Sequence, residues 1–287
     1  MFLSGVAGFP AVLRAARRAE PKLAFRALGK TGHKVTSLGF GTMLASDPLV
    51  VERAADAGIN FFDTARMYQG GNNERMVGTA LKGKRQRVVL ASKTLAPTKE
   101  GALRELDTSL KALGTDYLDI WYLHAKSKPE EVTDELLEAQ QIARQAGKIR
   151  FAGVSLHFNM KSLIPWLAQK GRADVILASY NFYLDEDPAE EIQAARRAGV
   201  AIVAMKTMAG GYARIKRGDR LYGQDPNALL QRLQKPGAML AALKWSLRNP
   251  SVDTAIVGMT DFDELEEDIR AMSEPYAPAD AALLGLS

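Results

Sequence analysis

The chain has 287 residues, 47% of them hydrophobic and 25% charged, and no cysteine, which excludes disulfides, thiolate metal sites, iron–sulfur clusters and cysteine nucleophiles. The formal charge of +5 is uneven: residues 1–34 carry seven Lys or Arg against one acid, Glu20, leaving 31 basic against 32 acidic residues in the remainder. A near-neutral body argues against a nucleic-acid-binding face, and with no run of 18 apolar residues nothing reads as a membrane span.

The chain opens on FLSGVAGFPAVL, an apolar stretch about as long as the core of a secretory leader. No basic segment precedes it, and its basic residues follow. Residues 1–22 therefore read as a short apolar and basic extension, with a truncated export leader as the alternative, ahead of one domain over 23–287. The cytoplasm is the expected location, or export if the extension is a leader remnant.

LAFRALGKTGHKVTSLGFGT reads as a β-hairpin turning at Gly29-Lys30-Thr31-Gly32 and leading into a strand. Helix DPLVVERAADAG closes on Gly58, and INFFDTA is a strand. NNERMVGTALKG is a helix opened by an Asn cap, VVLASKT a strand, and KEGALRELDTSLKALG a helix ending at Gly114. Strand YLDIWYLHA, helix TDELLEAQQIARQAGK, strand IRFAGVS and helix MKSLIPWLAQKG follow, then strand VILASYNF, helix PAEEIQAARRAG and strand VAIVAMKT. An irregular insertion over 209–235 precedes helix AMLAALKWSLRN, strand DTAIVG, helix DFDELEEDIRAM and a short tail.

Eight βα units without a linker predict an α/β fold of the (β/α)8 TIM-barrel type with an N-terminal β-hairpin. A doubly wound sheet is the competitor, but the first βα turn, GFGTMLASD, lacks a GxGxxG fingerprint. In a barrel the chemistry sits at the C-terminal ends of the strands. Asp63, Lys93 and His124 fall there, with Tyr68 in the loop after Asp63.

Each has an ordinary reading alone: Asp63 as a helix cap, Tyr68 as a loop aromatic, His124 as a satisfied core histidine. Lys93 is harder to dismiss, because an ammonium leaving the core needs a partner. Together they form the set needed to pass a tyrosine proton to a carbonyl oxygen. A phenol with its unperturbed pKa of about 10 is a poor acid. A nearby Lys93 cation would stabilise the phenolate, and Asp63 would keep that lysine charged and in place.

These residues, in GINFFDTARMYQGGNNERMVGTAL with ASK at 91–93, LHA at 123–125, GVS at 153–155, YN at 180–181 and TAIVGMTDFDELEED at 254–268, resemble the aldo-keto reductases from about Phe25 to Ala271. The resemblance implies hydride transfer from a nicotinamide cofactor to a small aldehyde or ketone. By its motifs, Tyr68 is the general acid, Lys93 and Asp63 tune it, and His124 orients the carbonyl oxygen.

It also implies a cofactor track through Thr42, Asp63, Ser155, Asn181 and Met205, with Lys206 toward the pyrophosphate. The amides of Gly258, Met259 and Thr260 lie toward a phosphate, and Glu267 and Asp268 toward the adenine. The chain departs from the family at Leu156, where an Asn is usual, and at Leu177, where a Gln is usual. His157 and Asn181 are placed to substitute, although His157 also reads as the start of the next loop. NADP(H) is the family default, but no base stands between Gly258 and Asp268, so NAD(H) is the alternative. Tyr212, Arg214 and Tyr222 are candidates to cover cofactor or substrate. The competing functions are a cofactor-binding sensor of the same fold and a Schiff-base enzyme using Lys93.

Overall fold

The computed structural model describes residues 23–208 and 226–286. The N-terminal extension and the loop residues Tyr212, Arg214 and Tyr222 lie outside the described residues.

The chain begins with an antiparallel hairpin, β1 (Phe25–Ala27) and β2 (Lys34–Thr36). Eight parallel strands follow: β3 (Leu38–Gly41), β4 (Phe61–Asp63), β5 (Val89–Thr94), β6 (Leu118–Lys126), β7 (Ile149–Leu156), β8 (Val175–Ser179), β9 (Ala201–Met205) and β10 (Thr254–Val257). They pair in chain order and close through β10 on β3, so the predicted barrel and hairpin are both present. Its strands are buried on both faces, which is why they read as nearly continuous apolar runs. Side chains such as Phe61, Ile120, Tyr122, Leu177 and Val203 fill the interior, while the outward positions pack under the helices.

The connecting helices follow from local sequence. Over Lys99–Leu113 the buried residues Ala102, Leu106, Ser109, Leu110 and Leu113 form one stripe. Thr98 Oγ1 accepts from the Gly101 amide to start that helix, and Gly114 ends it in the left-handed region at φ 64°.

Two expectations need correction, and the tail, left unassigned, gains an element. The helix Asn72–Ala80 has Gly71, not an asparagine, at its N-cap position. Within the predicted irregular insertion, Pro226–Leu233 is helical. The tail forms a helix, Pro278–Leu284, because Pro278 stands at its first position and Asp280 accepts from the Ala277 amide at 2.8 Å. That helix docks on the one spanning Ala238–Leu247 and buries Leu284. No helix of the described residues is long and apolar enough to cross a membrane.

The hairpin plugs the N-terminal mouth of the barrel, where Leu28 and Val35 join the interior cluster. Asp253, 1% exposed at the foot of β10, ties it down: Oδ2 accepts from the amides of Gly29 at 2.9 Å and Ile202 at 3.0 Å, and Oδ1 pairs with Arg196 Nε at 2.6 Å. With that end sealed, only the C-terminal rim is available for chemistry. Asp253→Ala leaves a buried amide, a part-buried amide and a guanidinium without their acceptor and is expected to cost about 3–5 kcal/mol in urea unfolding. A loss below about 1 kcal/mol would show the plug is not anchored there.

Candidate active site

The ends of three neighbouring strands bring the predicted side chains together. In the barrel register Asp63 lies opposite Ala91 and Lys93 opposite Tyr122, so Lys93 projects just above Asp63. Its ammonium donates to Asp63 Oδ1, to the Thr64 carbonyl at 2.7 Å and to Tyr68 Oη at 3.2 Å. All three of its donors are thereby used. Lys93 is 2% and Asp63 1% exposed, so the pair lies out of water, while Tyr68 is half-buried at the rim. The Asp63 carboxylate therefore caps no helix; it holds the lysine. Burial pulls the ammonium pKa down, but the Asp63 charge and the Tyr68 oxygen outweigh it and hold it above its ordinary value.

His124 meets Tyr68 edge to face, with ring centroids 5.9 Å apart. Burial, then the charges of Lys93, His157 and Lys126, push its pKa down to about 3. At neutral pH it is an uncharged imidazole, able to donate one N–H and unable to act as a stored proton.

The loop carrying Tyr68 is fixed by residues the motif reading passed over. Thr64 and Arg66 amides donate to the carbonyls of Ala91 and Lys93 at 2.9 and 3.1 Å. Arg66 forms an ion pair with Glu74, which is fully buried and accepts from Ser92 Oγ at 2.6 Å. Asn73 accepts from Thr42 Oγ1 at 2.6 Å and Thr64 Oγ1 at 2.7 Å, and donates to the Thr42 carbonyl at 2.8 Å. Gly71 is needed between them: its φ is 88°, and a Cβ there would lie 1.7 Å from Arg66 Nη2. The sequence signal was an Asn-Asn-Glu run at a helix start, whose second and third side chains turn inward.

The remaining cofactor candidates divide. Ser155 is fully buried and accepts the Ala125 amide at 2.8 Å, leaving its own hydroxyl proton to give. Asn181 spans the rim, donating to the Lys206 carbonyl at 3.1 Å and accepting the Tyr183 amide at 2.9 Å, so one N–H remains. Met205 faces the barrel interior, and His157 stands 6.3 Å from His124, ring to ring. Lys206 has its ammonium 5.8 Å from the Phe158 ring centroid. Thr42 serves mainly to brace Asn73 and the Asp63 carbonyl.

Ser179, absent from the motif reading, pairs in register with Met205 and is fully buried with no hydrogen-bond partner among the described residues. It lies two residues beyond Leu177 on the same face of β8. This orphaned hydroxyl and Nδ1 of His124, also unpartnered among the described residues, fit a polar ring substituent such as a carboxamide at the barrel mouth.

The far end is less welcoming. The Thr260 amide, one of the three expected phosphate donors, already donates to Glu264 Oε2 at 2.7 Å, and Met259 is buried by its side chain. Glu267 is exposed whereas Asp268 is 5% exposed, so the two do not share one surface. Burial, then the charges of Glu264 and Glu267, raise the Asp268 pKa to about 7. Between about 4 and 7 the folded protein thus binds more protons than the unfolded chain, and stability falls as pH rises. Asp268→Asn is expected to raise unfolding free energy at pH 8 by up to about 4 kcal/mol and to change it little at pH 4. An equal gain at both pH values would contradict a buried, titrating carboxyl.

Comparison with known proteins agrees with this geometry. The model of the Aldo/keto reductase family matches residues 38–284. An L-galactose dehydrogenase of Arabidopsis thaliana is 28% identical over 287 residues, spanning 88% of this chain and 89% of that protein. A putative voltage-gated potassium channel subunit beta of Schizosaccharomyces pombe is 28% identical over 310 residues, spanning 88% and 89%. The holo structure of an aldo-keto reductase from Bacillus halodurans superposes with a TM-score of 0.78 at 27% identity, covering 93% of this chain and 97% of that one. The barrel, its hairpin and the family match together place this chain in the aldo/keto reductase family of oxidoreductases.

Proposed function

We propose that the protein reduces the carbonyl of a small aldehyde or ketone to an alcohol, with Tyr68 as the general acid. The observation that carries this reading is the Lys93 ammonium held between Asp63 and the Tyr68 hydroxyl in a buried position. A bound nicotinamide would supply the hydride to the carbonyl carbon. Tyr68 gives its hydroxyl proton to the carbonyl oxygen, and the phenolate left behind faces Lys93 Nζ at 3.2 Å. Asp63 keeps that lysine charged and stationary, so no reorganisation is needed as charge develops. Neutral His124 donates to the same oxygen and aligns it with Tyr68. Half-exposed Tyr68 then regains its proton from solvent.

Ser155 and Ser179, with the spare N–H of Asn181, are the groups suited to hold the nicotinamide carboxamide in place of the missing glutamine. At the adenosine end the acid-rich helix start supports NAD(H) over the family's usual NADP(H): a 2′-phosphate would meet the exposed Glu264 and Glu267 rather than a fixed cation. A second reading, a cofactor-binding module with little turnover, draws on the similarity to the channel subunit.

Parallel fluorescence titrations with NADH and NADPH, followed by 4-nitrobenzaldehyde turnover, separate these readings. Tighter NADH binding with turnover is expected; binding without turnover favours the module, and tighter NADPH binding overturns the cofactor preference. Tyr68→Phe is expected to lower kcat by about 10²–10⁴ while leaving cofactor Kd unchanged. A variant as active as the parent would remove Tyr68 as the acid.

A further inference from the structure

Beside the buried ion pair lies a polar group that the proton transfer above does not use. Tyr122, on β6 two residues before His124, points into the barrel interior and is 0% exposed. It is the register partner of Lys93. Its ring occupies space that a side chain on β7 would otherwise take: a Cβ on Gly153 would lie 2.4 Å from Tyr122 Cδ1. An apolar residue would fill this interior position without difficulty. Instead the chain places a hydroxyl there, and that hydroxyl has no hydrogen-bond partner among the described residues.

A matching acceptor faces the same barrel interior, two strands away. Asp63 spends Oδ1 on Lys93, while its Oδ2 is buried and likewise has no hydrogen-bond partner among the described residues. The Asp63 charge acts on the Tyr122 phenol; burial first, and then that charge, drive the phenol well above its ordinary pKa, so it remains a donor. Lys93 cannot satisfy Oδ2, because its three N–H groups are committed to Asp63 Oδ1, the Thr64 carbonyl and Tyr68. One unpaired buried donor and one unpaired buried acceptor in the same interior, coupled electrostatically, describe the two ends of a bridge.

We propose that Tyr122 is a positioning residue for the Asp63–Lys93 pair, its hydroxyl reaching Asp63 Oδ2 through one enclosed water. The link pins the second carboxylate oxygen, so that Asp63 cannot rotate about its side-chain bond and carry the Lys93 ammonium away from Tyr68. This rests on the proton-transfer role given to Tyr68 and Lys93 in the proposed function.

Tyr122→Phe keeps the ring on Gly153 and removes only the hydroxyl. Two measurements on the full chain are needed: urea unfolding without any ligand, and steady-state reduction of 4-nitrobenzaldehyde. The bridge requires the variant to unfold more readily, by about tenfold in the equilibrium constant, as for one charge-assisted hydrogen bond. It also requires kcat to fall several-fold with KM and cofactor Kd unchanged, a split that a loss of packing alone does not give. A hydroxyl that truly lacks a partner gives the opposite result, a variant as stable as the parent or more so, and overturns the proposal. Lost stability with unchanged kcat also overturns it, since the hydroxyl then serves some group other than Asp63. The unfolding arm needs no turnover, so it reads the bridge even if the protein reduces nothing.

Discussion

An ammonium buried to 2% exposure requires a fixed opposite charge, and the site is organised around meeting that requirement for Lys93. Parallel strands put Asp63 and Lys93 on adjacent staves of the barrel, one step apart along its axis, where a carboxylate and an ammonium meet without distortion. With the pair formed and the Thr64 carbonyl satisfied, the lysine has one donor left for the rim, and it goes to Tyr68. The half-buried loop bearing Tyr68 must then hold still. That accounts for a second buried ion pair, Arg66 with Glu74, and for the Asn73 junction to Thr42 and Thr64. A plug of hairpin residues at the opposite mouth leaves the chemistry a single entrance.

The two ends of the proposed cofactor track are unequal. Near the hydride end the polar groups are many, and several retain unused hydrogen-bonding capacity: Ser155, Ser179, Asn181 and neutral His124. At the adenosine end the helix start satisfies itself, with Asp261 capping the Glu264 amide and Glu264 reaching back to Thr260. A helix N-terminus that has folded an acid onto its own amide competes with an incoming phosphate. In the proposed reading the cofactor is therefore held chiefly at its hydride end.

Much of the fold was legible because its signals are local. Most barrel strands are short apolar runs rich in β-branched or aromatic residues, and most helices carry one apolar stripe. Three of the four rim residues were legible for a related reason: Asp63, Lys93 and His124 are polar residues at the ends of apolar strands, and Tyr68 follows in the loop after the first. What escaped the reading depends on long-range partners. Asn73 and Glu74 look like an exposed helix start until the Arg66 loop and Ser92 are placed against them. Ser179 and Tyr122 resemble ordinary strand residues, and only the closure of the barrel turns their hydroxyls into a fully buried interior. The C-terminal helix was not assigned because its apolar contacts, Leu283 and Leu284, are made with a helix some forty residues earlier in the chain.

The most direct test of the buried-pair mechanism is the single-turnover rate of 4-nitrobenzaldehyde reduction in Lys93→Met, which keeps side-chain length and removes the charge. Circular dichroism and cofactor titration on the same sample report whether the barrel and its cofactor track survive. If the Lys93 ammonium is what makes Tyr68 a competent acid, the rate falls by about 10² or more while cofactor Kd holds. A folded, cofactor-binding Lys93→Met protein that reduces the aldehyde at the parent rate would contradict the mechanism at its centre.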